Sequence, residues 1–126
     1  MNKGKYRKLS YKIAKGFSLR RIIYLDEVIS GGTPHADVLL VFGGRFDFVV
    51  EYTGNVHGTQ ELNQLRSTFD FFSGVPEINP NRLVPVLHKE GRIGAIQSDY
   101  IKTQKVHGKN IILMNCQQSL EDFVLH

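Results

Sequence analysis

Between Gly31 and Thr53 the chain reads GGTPHADVLLVFGGRFDFVVEYT, and no other stretch constrains the fold as tightly. Two glycines and a proline punctuate a loop, and Ala36 to Phe42 then form a run that is apolar except for Asp37. Gly43-Gly44 has the composition of a two-residue hairpin turn. Beyond it Phe46, Phe48, Val50 and Tyr52 alternate with Asp47, Val49, Glu51 and Thr53, the period of a strand with two distinct faces. A hairpin closed at Gly43-Gly44 sets Asp37 opposite Glu51 or its neighbour. Facing carboxylates repel, at a cost in stability, unless a positive charge lies between them. A hard divalent cation, which takes carboxylate and carbonyl oxygens, meets that need. The plainer reading makes Asp37 a loop cap or a partner for Arg45, and Glu51 and Asp47 solvated strand residues.

The flanking periodicities place this hairpin in an α/β context. Residues 4–15 set Tyr6, Leu9 and Ile13 at helical spacing, with Gly16 as the cap. Residues 18–29, rich in β-branched and aromatic types, read as a strand. A helix opens at Thr59, with Gln60 and Glu61 in its first turn and Leu62, Leu65, Phe69 and Phe72 as its apolar stripe, and stops near Gly74. Residues 82–88 read as a strand in which Pro85 predicts an edge or a bulge. Asp99 to Val106 reads as a short helix, Asn110 to Cys116 as a strand and Ser119 to Leu125 as a terminal helix. The order α-β-β-β-α-β-α-β-α predicts an α/β sandwich with a mixed central sheet flanked by helices.

A length of 126 residues suits one domain, divided into a basic arm or helix (1–17), a core (18–90) and a C-terminal helix–strand–helix (91–126). No segment approaches a membrane span and the N-terminus lacks a signal peptide's apolar stretch, so a cytoplasmic protein without a membrane partner is expected. A single cysteine, Cys116, excludes an internal disulfide and a multi-cysteine zinc site, and its apolar surroundings predict a buried thiol. His35 and His57 flank the two carboxylates without any paired-ligand spacing and read as loop histidines.

The net charge of +4 conceals a segregation. Lys3, Lys5, Arg7, Lys8, Lys12, Lys15, Arg20 and Arg21 are half of the sixteen basic residues, and no acid precedes Asp26. The remainder holds eight bases against twelve acids and is net negative by four. Such an arm suits a polyanion, with nucleic acid the first candidate, while a solvated basic helical face is the bland alternative. Tyr6, Tyr11 and Phe17 are interleaved with these charges, where they either stack on bases or pack inward. Phe69, Phe71 and Phe72 cannot all face one side of a helix, which leaves one for a partner subunit.

Pro34-His35-Ala36-Asp37, Glu51-Tyr52-Thr53 and Gln64-Leu65 in the following helix resemble the motif of the PD-(D/E)xK nuclease superfamily. The pattern is most like archaeal Holliday junction resolvases and exonuclease-type members. The likeness spans roughly residues 18 to 90 by element order but only a few residues by motif. Two residues are inserted between proline and aspartate, and Thr53 stands where the family has the lysine of Glu-x-Lys. The resemblance implies a restriction-endonuclease-like α-β-β-β-α-β core and Mg²⁺ or Mn²⁺ held by Asp37, Glu51 and the Tyr52 carbonyl. It further implies phosphodiester hydrolysis in DNA, with Thr53 and Gln64 at catalytic positions. Thr53 is neutral and a poor base, so three substitutes are open. A lysine or arginine from elsewhere reaches the site, Gln60 and Gln64 orient the water, or Asp26 or Glu27 adds a metal ligand. The alternative is a catalytically inactive nuclease fold that serves as a nucleic-acid-binding or assembly module. Resolvase-like members are dimers because a four-way junction has two-fold symmetry, and this sequence allows a homodimer.

Overall fold

The computed structural model describes residues 2–54 and 59–123. Helix α1 (Lys3–Ile13) starts where the Asn2 side chain accepts the Lys5 N–H at 3.0 Å, and the chain leaves it through Gly16 at φ +91°. Strand β1 (Arg21–Tyr24) is shorter than the extended segment expected over 18–29. Leu25 donates its N–H to the Asp37 carbonyl, and Leu25–Glu27 close a 3-10 turn. Leu25 and Ile29 are buried as the anchors of that turn, so the apolar residues that imitate a strand serve a bend instead.

Strands β2 (Val38–Val41) and β3 (Asp47–Thr53) pair antiparallel with Val38 facing Val50 and Leu40 facing Phe48. That register sets Asp37 opposite Glu51, as the hairpin reading expects. The connection, however, is a five-residue loop, Phe42 to Phe46, and not a two-residue turn at Gly43-Gly44. Asp47 closes it by accepting the Phe42 N–H at 3.0 Å. Gly43 takes φ +71°, and a Cβ there would meet the Arg20 guanidinium carbon at 2.4 Å.

Helix α2 (Thr59–Ser73) crosses over to β4 (Leu83–Lys89), which runs parallel to β3. Helix α3 (Ala95–Lys102) precedes a small hairpin of β5 (Lys105–Val106) and β6 (Lys109–Asn110), and β7 (Ile112–Asn115) then pairs parallel with β4. The helix expected over 99–106 therefore begins earlier and ends at Lys102. His107 and Gly108 both take positive φ, as the two central residues of a tight hairpin turn require. Ser119 caps a 3-10 turn at Leu120–Asp122, which stands in place of the expected terminal helix as far as Phe123; residues 124–126 of that expectation lie outside the described residues.

The sheet order β1-β2-β3-β4-β7 makes β4 an interior strand, not the edge that Pro85 implies. Pro85 pairs with Val49 on β3, while β7 joins only from Val86 onward. The pyrrolidine thus falls on the part of β4 that has one neighbour, where a missing N–H is tolerated. Helix α1 covers one face, packing Ile13 with Val38, Leu40, Phe48, Val50 and Tyr52. Helix α2 covers the other, packing Leu65, Phe69 and Phe72 on Leu39, Val49 and Leu83, and α3 adds Ile101 against Leu62 and Leu87. The result is an α/β molecule with a mixed five-stranded sheet between helical layers. Among the described residues no helix is long and apolar enough to cross a membrane. Cys116 is half-buried rather than enclosed.

Candidate functional site

Alternation along β3 sends Phe48, Val50 and Tyr52 to the α1 face and Val49 to the α2 face, so Glu51 and Thr53 share the side on which α2 lies. A pocket of about 370 Å³ opens there, at the carboxyl end of β3 beside the first turns of α2. Asp37, Glu51, Tyr52, Thr53, Gln60 and Gln64 line it, together with Gly54 and Glu61. Residues separated by up to 27 positions in sequence thus converge on one cleft. Ligands of open α/β sheets commonly bind outside the carboxyl ends of the strands.

Asp37 is held from several directions. Its N–H donates to the Val50 carbonyl at 3.1 Å, and its carbonyl accepts the Leu25 N–H at 3.0 Å. Its side-chain Oδ2 accepts the Tyr52 N–H at 2.7 Å. Since Thr53 turns its carbonyl toward β4, accepting the Glu90 N–H at 3.0 Å, Tyr52 turns its own N–H and C=O toward Asp37. The neighbouring Ala36 N–H donates to Thr68 Oγ1 on α2 at 2.8 Å, and that hydroxyl donates to the Gln64 carbonyl at 2.7 Å. The helix and the start of β2 are therefore tied together beside the pocket.

Tyr6 of α1 completes the cradle. Its ring stacks on Tyr52 with centroids 5.5 Å apart, and its hydroxyl donates to the Asp37 carboxylate. Burial and then the Asp37 charge push the Tyr6 hydroxyl up to about 12, so it stays a donor. Tyr52 continues the network, with its hydroxyl 2.8 Å from Ser10 Oγ and its ring 5.1 Å from that of His88. His88 is fully buried, neither of its ring nitrogens has a hydrogen-bond partner among the described residues, and burial lowers its pKa from the usual value.

Glu51 carries the strongest electrostatic signature. Its side chain is 5 % exposed, and burial, followed by the hydrogen bond and charge of Asp37 and the charge of Glu61, raises its pKa from 4.5 to about 10. Burial beside the Asp37 charge disfavours the ionised form of Glu51, so without a cation Glu51 keeps its proton at neutral pH. The donors around the pocket are hard oxygens: the Asp37 and Glu51 carboxylates and the Tyr52 carbonyl. Among the described residues no three His, Cys, Asp or Glu side chains gather as a ligand group. Two carboxylates and a carbonyl fit an ion such as Mg²⁺, which keeps several waters, better than an all-protein cage.

The other expectations separate cleanly. Asp26 and Glu27 do not line the pocket: Asp26 lies 3.4 Å from His35 Nε2, and Glu27 pairs with Lys3. His35 Nδ1–H donates to the Thr33 carbonyl at 2.8 Å, as a loop histidine does, and His57 lies outside the described residues. Lys3, Lys5, Arg7, Lys8 and Lys12 lie exposed on α1, and Lys15, Arg20 and Arg21 are exposed beyond it. Lys5 pairs with Glu90 at 2.6 Å, and Arg7 lies over the exposed Tyr11 ring at 5.7 Å. Of the interleaved aromatics, Tyr6 and Phe17 pack inward, and only Tyr11 faces solvent. Phe69 and Phe72 are core, whereas Phe71 is 37 % exposed.

The sequence reading places Glu61 and Tyr6 on helices but gives neither a role at the pocket, and it does not single out the side chains of Ser10 or His88. Helical spacing puts Glu61 on the same flank as Gln60 and Gln64, and that signal was there to find. The others depend on how α1 docks, which no local pattern encodes. No family model, curated protein or solved structure matches this chain.

Proposed function

We propose that the pocket is the centre of a divalent-cation-dependent phosphodiesterase acting on nucleic acid, with DNA the favoured substrate. The observation that carries this reading is the nearness of Asp37, the residue before β2, to the buried Glu51 of β3, in a cleft shared with Tyr52, Thr53, Gln60 and Gln64. The order α-β-β-β-α-β and the mixed sheet support this reading, since the resemblance to PD-(D/E)xK nucleases implies that order and such a carboxylate pair. Asp37, Glu51 and the Tyr52 carbonyl would hold Mg²⁺ or Mn²⁺, which supplies Lewis-acid polarisation of a phosphate and a more acidic water.

The chain's own residues do the rest. Tyr6 and the Tyr52 N–H hold the Asp37 carboxylate in a fixed orientation. Gln60, Gln64 and the Thr53 hydroxyl offer neutral hydrogen-bond partners to a water in the pocket. Hydrolysis joins that water's oxygen to phosphorus and breaks one phosphorus–ester bond, and the departing sugar oxygen takes up the proton released. The basic residues of α1 and its continuation supply the sequence-independent attraction for the phosphate backbone. A homodimer contacting through Phe71 belongs to the same proposal, and its sedimentation as a two-chain species is the check.

A second reading keeps the fold and the polyanion surface but not the chemistry. It is favoured by Thr53, a neutral side chain beside Glu51. Calorimetric titration of Mn²⁺ into the wild type and the Asp37→Asn/Glu51→Gln variant, alongside cleavage assays on DNA and RNA, separates the two. Binding lost in the variant together with wild-type cleavage supports hydrolysis. Binding without cleavage leaves a silent site on a binding module, and no binding removes the site.

A further inference from the structure

We infer that Lys89 is the cationic group of this pocket, contacting the phosphate from β4 where the position beside Glu51 on β3 is neutral. The inference rests on the hydrolytic reading above and deepens it. Thr53 and Lys89 are direct partners in the parallel β3–β4 ladder. Parallel strands lie about 4.8 Å apart, and register partners project from the same face. Lys89 therefore emerges beside Thr53 on the face that carries Glu51. The Glu90 N–H donates to the Thr53 carbonyl at 3.0 Å, which locks the two strand ends together at this point.

The local charges leave the ammonium available. Glu90, the neighbouring acid, is paired with Lys5 of α1 at 2.6 Å. Lys89 Nζ donates to the Arg92 carbonyl, a neutral acceptor in the loop after β4, and the side chain is only half-buried. Turning the flexible four-carbon stem from that carbonyl to a phosphate oxygen exchanges one hydrogen bond for a charge-assisted one. No lysine or arginine among the described residues lines the pocket itself, so a phosphate entering it meets carboxylates unless a cation comes from alongside. Lys89 is the basic residue that the strand register sets next to it.

The test uses the full chain as wild type, Lys89→Met, Lys89→Gln and Thr53→Lys/Lys89→Met. Two readouts are taken: binding of a labelled DNA duplex in Ca²⁺ by fluorescence anisotropy, and single-turnover cleavage in Mg²⁺ or Mn²⁺. Loss of Lys89 is expected to slow cleavage by about 100-fold or more and to weaken binding by about tenfold, with Mn²⁺ affinity unchanged. Thr53→Lys on the Lys89→Met background is expected to restore both, because it returns the cation to the same face one strand away. A Lys89→Met or Lys89→Gln variant that binds and cleaves like wild type overturns the inference. A wild type that never cleaves defeats the hydrolytic reading alone. The binding arm then decides: tenfold weakening rescued by Thr53→Lys retains Lys89 as the phosphate contact, and unchanged binding removes it.

Discussion

Glu51 is buried against Asp37 and holds its proton far above the ordinary carboxylate range, and this has a measurable consequence for stability. Between about 4.5, where the unfolded side chain ionises, and about 10, the folded state binds the extra proton. The Glu51 contribution is therefore complete at low pH and is lost as pH rises, by up to about 1.4 kcal/mol per pH unit. His88 acts with the opposite sign, since its lowered pKa withdraws stability only as pH falls below the ordinary histidine value. Above pH 7 the His88 contribution no longer changes, while Lys109, whose pKa burial lowers, works against the Glu51 loss on the alkaline side. Urea denaturation of the cation-free protein from pH 7 to 9 should show falling stability in wild type, a flatter profile in Glu51→Gln, and recovery of wild type on adding Mn²⁺. At Tyr6 the expectation is different. Tyr6→Phe keeps the ring stack on Tyr52 but removes the hydroxyl that orients Asp37, so Mn²⁺ affinity measured by calorimetry should fall about three- to tenfold with little loss of fold. Asp37 and Glu51 are legible in the sequence because strand alternation and an antiparallel register are local facts. The role of Tyr6 is not, since it depends on a helix returning to the sheet from 31 positions away in the chain.

Elements differ in legibility for the same reason. Helix α2 and strand β3 read correctly because each carries an uninterrupted period, 3.6 in one and 2 in the other. Strand β1 reads too long because Leu25 and Ile29 are apolar in a turn whose Leu25 N–H donates to the Asp37 carbonyl. The β5–β6 hairpin is hidden because its strands have two residues each and its turn is built on a histidine with positive φ. The β2–β3 loop lies between these cases: its glycines mark the reversal, but register, not composition, sets its length at five. Gly43 is the position in that loop where the backbone demands glycine. Gly43→Ala forces a Cβ into positive φ and displaces the Arg20 guanidinium, so it should lower stability by about 1–2 kcal/mol in urea denaturation. Gly44, where an added Cβ meets nothing within 4 Å, is the matched control and should tolerate alanine better.

For the molecule as a whole, α1 lies on the sheet face opposite α2, and it is the start of this helix that reaches the site. Tyr6 reaches Asp37, Lys5 reaches Glu90 at the end of β4, and Lys3 reaches Glu27. These exposed ion pairs add little stability, but they engage two of the basic side chains with acids of the same chain. Lys8, Lys12 and Lys15, farther along α1 and just past its end, are exposed and carry the proposal that this segment meets a phosphate backbone. Each lysine that contacts duplex DNA contributes about 0.9 to the slope of log affinity against log salt. Replacing all three with glutamine should flatten that slope by about 2.7 and weaken binding most at low salt. Fluorescence anisotropy of a labelled duplex across a KCl series measures both quantities, and Lys102→Gln on the distant α3 should change neither. An unchanged slope in the triple variant would detach the basic segment from nucleic-acid binding, and polyanion capture would then fall to the strand ends around Lys89.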